Sequence, residues 1–202
     1  TLFRSFGRNI KRLCAPLLKL GIDYFAHVNI DANQRFSALS NHPTFHQHYL
    51  QQAYYQADIH LAEVGQHSQY ILWDAIECKG ESEKMNQDAE DFQIRHSFTI
   101  IDKKPGNHNY YHFSTSQKDF SFNQVYLSHL DLLDLFITHF NESVSQSKSL
   151  SKAYQIKFSM SDNLANYSLN HQNGPQQSIR TEFMRAISNT RHSCTDFFVV
   201  HK

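Results

Sequence analysis

Glycine and proline are sparse: six and four among 202 residues. The glycines are scattered, so the chain carries no Gly-rich phosphate-binding loop and no nucleotide-binding signature. Cysteine is scarcer still and odd in number. Cys14, Cys78 and Cys194 stand at no metal-ligand or framework spacing, which argues against a disulfide scaffold and for reduced thiols in a cytoplasmic protein. No apolar run approaches the roughly 18 residues of a membrane span, and no signal peptide opens the chain, so no membrane contact is expected. An excess of charge is also missing, since 19 Lys and Arg face 19 Asp and Glu. No global basic field argues for nucleic acid.

Aromatic and histidine residues are plentiful. Sixteen Phe and ten Tyr bring the aromatic share to 13% within a 40% hydrophobic chain, which favours a globular domain with rings to spare for lining a cavity. The 14 histidines read as scattered surface residues. At this length the chain can bury one substantial core, or one domain with an extension.

The stretch from Phe45 to Trp73 concentrates these features. Tyr49, Tyr54, Tyr55 and Trp73 flank one carboxylate, Asp58, which sits between Ala57 and Ile59 with no cation beside it. Phe45, Tyr49, Asp58 and Trp73 follow one another at steps of four, nine and fifteen residues. Ser40-Asn41-His42-Pro43 precedes them, and Phe92-Gln93-Ile94-Arg95-His96-Ser97-Phe98 follows. This spacing resembles the signal-binding domain of the bacterial LuxR-type quorum-sensing regulators, and the likeness covers residues 8 to 146. In that family the positions of Phe45, Tyr49, Asp58 and Trp73 read aromatic (usually Trp), Tyr, Asp and Trp, and the strand entry reads Phe-Gly-Ile-Arg-x-Gly. The chain departs from the pattern where Phe45 replaces the Trp, Ile59 the Pro after Asp, and Gln93 and Ser97 the two glycines. Phe45 has no N–H to give a lactone carbonyl, which argues against an acyl-homoserine lactone head group.

The element order supports the same fold class. Residues 3 to 20 place apolar side chains at three- and four-residue steps, predicting an amphipathic helix weakened by Gly7, kinked near Pro16 and stopped by Gly21. Tyr24 to Ile30 and Arg35 to Leu39 read as a hairpin, Thr44 to Gln52 and Asp58 to Val64 as helices, and Tyr70 to Trp73 as an extended piece. Ser82 is expected to cap a helix running to Phe92. His96 to Ile101 and Tyr110 to Ser114 read as a second hairpin around a turn-rich 102–108. A capping-box pattern from Ser121 to Gln124 is expected to open the longest helix, with Val125, Leu130, Leu133, Phe136 or Ile137, Phe140 and Val144 along one face. This is an α/β (α+β) order: an αβα sandwich with a central antiparallel sheet flanked by helices, plus a C-terminal extension.

A Ser-rich run from Ser143 to Ser151 marks the expected boundary between residues 1–149, the LuxR-like sandwich, and an extension of residues 150–202 with no recognisable helix-turn-helix. In that extension Tyr154 to Met160 and Asp196 to Val200 read as strands and Ser178 to Ser188 as a short helix. Arg180, Arg185 and Arg191 without a reading helix are weak evidence for DNA contact, so DNA is expected only through a domain absent from this chain.

The resemblance assigns Asp58 to the amide N–H of an acyl ligand. A carboxylate among aromatics is costly to bury without a donor; equally, Asp58 can serve as a helix N-cap for the N–H of His60 or Leu61. Tyr49 would donate to a ligand carbonyl and Trp73 would form an apolar wall, with Phe45 beside them. Tyr24, Phe36 and Phe98 would line an acyl-chain cavity if they share one side of the sheet; the alternative is ordinary core. His42, His46 and His48 cluster in sequence without a Cys or carboxylate at ligand spacing, so no metal and no cofactor are expected. No catalytic residues are advertised; a hydrolase or transferase would need Cys78 or Cys14 within hydrogen-bond reach of a histidine. The leading expectation is a sensor module for a small amphipathic acyl ligand, homodimeric through the helix from Phe122 to Val144. The alternative is a ligand-free interaction scaffold that reuses the fold.

Overall fold

The computed structural model describes residues 9–56, 58, 61 and 70–159. The first helix, α1, covers residues 9–13 and gives way after Cys14 to a 3-10 turn over Ala15–Leu20. Pro16, which has no N–H to donate, lies at the break. Gly21 ends the segment at φ +78°, where its N–H returns to the turn's carbonyls.

Among the described residues a six-stranded antiparallel sheet follows, ordered β3-β4-β5-β1-β2-β6. β1 (Tyr24–Asp31) and β2 (Arg35–Ser40) form a hairpin. Asp31 Oδ1 shapes its turn by accepting the backbone N–H of Asn33 at 2.9 Å and of Arg35 at 3.1 Å. β4 (Arg95–Lys104) and β5 (Asn107–Thr115) form the second hairpin. Its strands reach further than the turn-rich sequence suggests, because Lys104 pairs with Asn107 and leaves only Pro105 and Gly106 (φ +71°) as the turn. β3 (Tyr70–Leu72) pairs with β4, and β6 (Phe158–Ser159) pairs with β2.

Helices cover both faces, as the αβα sandwich requires. On one side α1, α4 (Asn123–Ser128), α5 (Leu130–Gln146) and α6 (Lys148–Ser151) lie over Phe25, Leu39, Phe98, Tyr111 and Phe113. On the other, α2 (Pro43–Gln51), a 3-10 turn over Tyr54–Gln56 and α3 (Glu81–Asp91) lie over Val28, Ile30, Phe36, Ile71, Ile101 and Tyr110.

Several local expectations are corrected. α3 starts at Glu81 behind Gly80, whose φ of 64° and ψ of −129° turn the chain, and Ser82 is a buried helical residue rather than the cap. Asp119, not Ser121, caps the 3-10 turn Phe120–Phe122 by accepting the Ser121 N–H. The long helix is split at His129 (ψ 32°), whose ring Nδ1–H donates to the Val125 carbonyl at 2.9 Å. Leu150, inside the Ser-rich run, and Ala153, just after it, are buried, Lys152–Gln155 forms a 3-10 turn, and within the described part of the expected strand Phe158–Ser159 pairs with β2. The expected helix from Asp58 to Val64 falls mostly outside the described residues, as do the elements expected after residue 160 and Arg180, Arg185 and Arg191.

Candidate ligand-binding site

The motif Ser40-Asn41-His42-Pro43 sets the entry angle of α2. Buried Asn41 accepts the Phe25 N–H and donates to the Asp23 carbonyl, each at 3.0 Å, tying the start of β1 to the end of β2. The Ser40 hydroxyl accepts the His42 N–H at 3.1 Å, and His42 Nδ1 accepts that of Phe45 at 3.2 Å as the N-cap. With Pro43 in the first turn, Phe45, His46 and Tyr49 are directed inward. The far end is pinned by Asp88 of α3, whose Oδ2 pairs with His48 Nε2 and accepts the Tyr54 hydroxyl, both at 2.6 Å.

Asp58 lies beneath this bracket, 5% exposed, and its Oδ2 accepts the hydroxyl of Tyr49, 8% exposed, at 2.7 Å. The Asp58 backbone carbonyl, meanwhile, accepts the Leu61 N–H at 3.0 Å. Burial, reinforced by the Asp58 charge, raises the Tyr49 phenol well above its usual range, so Tyr49 stays a donor at any ordinary pH. The surrounding rings touch one another. Phe36 stacks on Tyr55 at 5.5 Å and on Tyr49 at 6.0 Å, while Tyr24 meets Phe45 edge-on at 6.0 Å. Trp73 closes the same cluster. Its indole N–H donates to Thr99 Oγ1 at 2.6 Å, and Thr99 Oγ1 lies 2.8 Å from His112 Nδ1. Thr99 Oγ1 thus links the indole to the His112 ring.

Six of the seven expected site residues therefore gather in one layer: Tyr24, Phe36, Phe45, Tyr49, Asp58 and Trp73. Phe98 does not. It stands on the opposite face of β4, stacked on Tyr126 at 5.2 Å and on Tyr70 at 6.0 Å, because Thr99 and Ile101 take the face toward Trp73 and side chains alternate along a strand.

Comparison with known proteins places this arrangement. The family model of the autoinducer-binding domain matches residues 9–144. The chain belongs to that family. No curated protein sequence matches this one significantly. SdiA in complex with octanoyl-rac-glycerol superposes with a TM-score of 0.54 at 12% identity, covering 74% of this chain and 66% of that one. Escherichia coli SdiA in the space group P6522 gives 0.55 at 12%, covering 76% and 64%. CepR2 of Burkholderia cenocepacia, an N-acylhomoserine lactone dependent LuxR family transcription factor, gives 0.52 at 15%, covering 73% and 85%. At these identities the likeness shows the shared fold. The chain spans slightly under two thirds of the SdiA chains' length.

As an autoinducer-binding domain the chain belongs to a family defined by signal binding rather than catalysis. Of the two cysteines among the described residues, Cys78 Sγ accepts from the Asn86 amide at 3.1 Å, and Cys14 is buried, its thiol pushed up to about 12 by desolvation. His42, His46 and His48 are separated by role, as cap, buried residue and Asp88 partner. Among the described residues no group of three or more His, Cys, Asp or Glu could hold a metal ion, and no helix is long and apolar enough to cross a membrane. Reasoning from sequence missed Thr99 and His112. Their only signal was strand parity, of Thr99 with Ile101 on β4 and of His112 with Tyr110 on β5.

Proposed function

We propose that this autoinducer-binding domain is the sensor of a regulator and takes a small amphipathic acyl-type molecule in the aromatic layer around Asp58. The observation that carries the reading is the buried Tyr49–Asp58 hydrogen bond of 2.7 Å. An ionised carboxylate can accept several donors, so a ligand amide or hydroxyl hydrogen can join Tyr49 on it. Trp73 serves as wall, since its N–H is directed to Thr99. With Phe45 where the family usually has Trp, a head group that needs no indole donor fits better than a homoserine lactone. Octanoyl-rac-glycerol, the molecule named with SdiA, has hydroxyl hydrogens suited to Asp58.

A homodimer through the outer face of α4 and α5 belongs to the same proposal, supported by the exposed Leu127, Leu132 and Leu135. So does a cytoplasmic location, which suits the free thiols of Cys14 and Cys78. Transcriptional output through a DNA-binding domain rests on family membership alone.

Native mass spectrometry of the purified chain, before and after incubation with monooctanoyl glycerol, octanoate or N-octanoyl homoserine lactone, tests the sensor reading. A bound acyl compound that is lost from Asp58→Asn supports it. A protein that stays mass-clean with all three probes overturns it in favour of the ligand-free scaffold.

A further inference from the structure

The opposite face of the sheet carries a cavity of about 230 Å³. Its floor is His27 and Asn29 of β1 and Ser37 of β2; one wall is Phe140, Asn141 and Val144 of α5; the other is Tyr154 and Lys157. These strand positions are one residue out of phase with Val28 and Phe36, which face the aromatic layer. The full thickness of the sheet therefore separates this cleft from Asp58.

The polar groups of the cleft are ordered. Asn29 Nδ2 donates to Asn107 Oδ1 and, at 2.9 Å, to Asn109 Oδ1. Asn109 Oδ1 also lies 3.1 Å from His27 Nε2, so that nitrogen carries the ring hydrogen. His27 Nδ1 is then the acceptor, and the Tyr154 hydroxyl 2.6 Å away donates to it. His27 is held neutral by burial and stacks on Tyr111 at 4.6 Å. At the mouth, Asp31 Oδ2 is approached by both Lys157 Nζ at 2.7 Å and Arg35 Nη2 at 2.8 Å. Two cations against one carboxylate leave one positive charge in excess, and Lys157 keeps further N–H donors beyond the one directed at Asp31.

We infer that this cleft is a second ligand site, separate from the aromatic layer, that takes a small organic carboxylate with its anionic end on Lys157 and its apolar body against Phe140, Val144 and the Tyr154 ring. The volume lies below the roughly 300–1,000 Å³ of pockets for drug-sized ligands, so the occupant is compact. Because Tyr154 and Lys157 belong to the segment leading into β6, occupancy of the cleft bears directly on how that segment holds to the sheet.

The test is ¹⁵N NMR titration of the full chain with benzoate, with benzamide as the uncharged control. Benzoate is expected to shift the resonances of Asn29, Ser37 and Asn141 while leaving those around Tyr49 and Trp73 in place. Benzamide is expected to bind at least tenfold more weakly. Lys157→Gln should lower benzoate affinity at least tenfold and Lys157→Arg should restore most of it; Val144→Phe, which fills the cleft, should abolish the shifts in a chain whose remaining spectrum is unchanged. Equal binding of benzoate and benzamide, an unaffected Lys157→Gln, or shifts confined to the Tyr49 and Trp73 side would each overturn the inference. Only the last of these outcomes would put the ligand beside Asp58; the others leave acyl binding there untouched.

Discussion

The Tyr49 hydroxyl reaches Asp58 Oδ2 across 2.7 Å inside a shell of aromatic rings. The two residues are nine apart, one on α2 and one past the following 3-10 turn, so their bond closes the loop between them and defines the polar centre of an otherwise apolar layer.

Removing that donor tests its weight. Tyr49→Phe deprives a buried carboxylate of a hydrogen bond and should cost about 1–3 kcal/mol of stability, read as a lower urea midpoint with an unchanged slope. The double variant with Asp58→Asn should lose less than the sum of the single losses, because the two share one interaction. Full additivity would mean that the pair is not coupled.

Trp73 and Thr99 make a second such pair, at 2.6 Å. Thr99→Val keeps the side-chain shape but removes the acceptor of a buried indole N–H, with an expected cost of about 1–3 kcal/mol. Trp73→Phe should cost about 2–4 kcal/mol, since lost ring volume adds to the lost bond. A double-mutant cycle by chemical denaturation is expected to return a coupling of at least about 0.5 kcal/mol.

Two buried histidines predict acid sensitivity. Burial lowers the pKa of His27 and of His46 from 6.5 to about 4. Above pH 6.5 both are neutral whether the chain is folded or unfolded, and neither costs stability. As pH falls from 6.5 toward 4 the unfolded chain takes up protons that the folded chain refuses, so stability drops, by about 3 kcal/mol at most for each residue. Thermal melts between pH 7.5 and 4 should show that decline, and His27→Gln should flatten it. A pH slope unchanged by the substitution would remove His27 from the account.

Gly21 ends the first helical segment at φ +78°, and a Cβ there would lie 2.8 Å from Gln117 Nε2 and 3.1 Å from Phe122 Cε2. The Gln117 side chain can swing away, whereas the Phe122 ring is buried. Gly21→Ala should therefore destabilise by about 1–3 kcal/mol through backbone strain and ring displacement together, measured by differential scanning calorimetry.

The family, the antiparallel sheet between two helical layers and both hairpins were legible in the order of elements and in the spacing of Phe45, Tyr49, Asp58 and Trp73. These are encoded locally, in turn chemistry at Asp31 and at Pro105-Gly106 and in steps of four and nine residues along neighbouring segments. The face taken by Phe98 was not legible. β4 is covered on both sides, so Phe98, Thr99, Ile100 and Ile101 are all buried and no polar alternation marks which side is which. A register irregularity between Arg95 and Phe98, where His96 sits at φ +48°, further uncouples the strand from its entry motif.

By itself, then, the sequence determined which chemistry is present and which residues stand near one another along the chain: a carboxylate among rings, a proline at the head of α2, glycines where φ turns positive. Tertiary structure alone decided what each group meets. The threonine beneath Trp73, the place of β6 beside β2 and the cleft between His27 and Lys157 all join residues distant in sequence. Such pairings depend on strand order and parity across the sheet, which are properties of the closed fold rather than of any one segment.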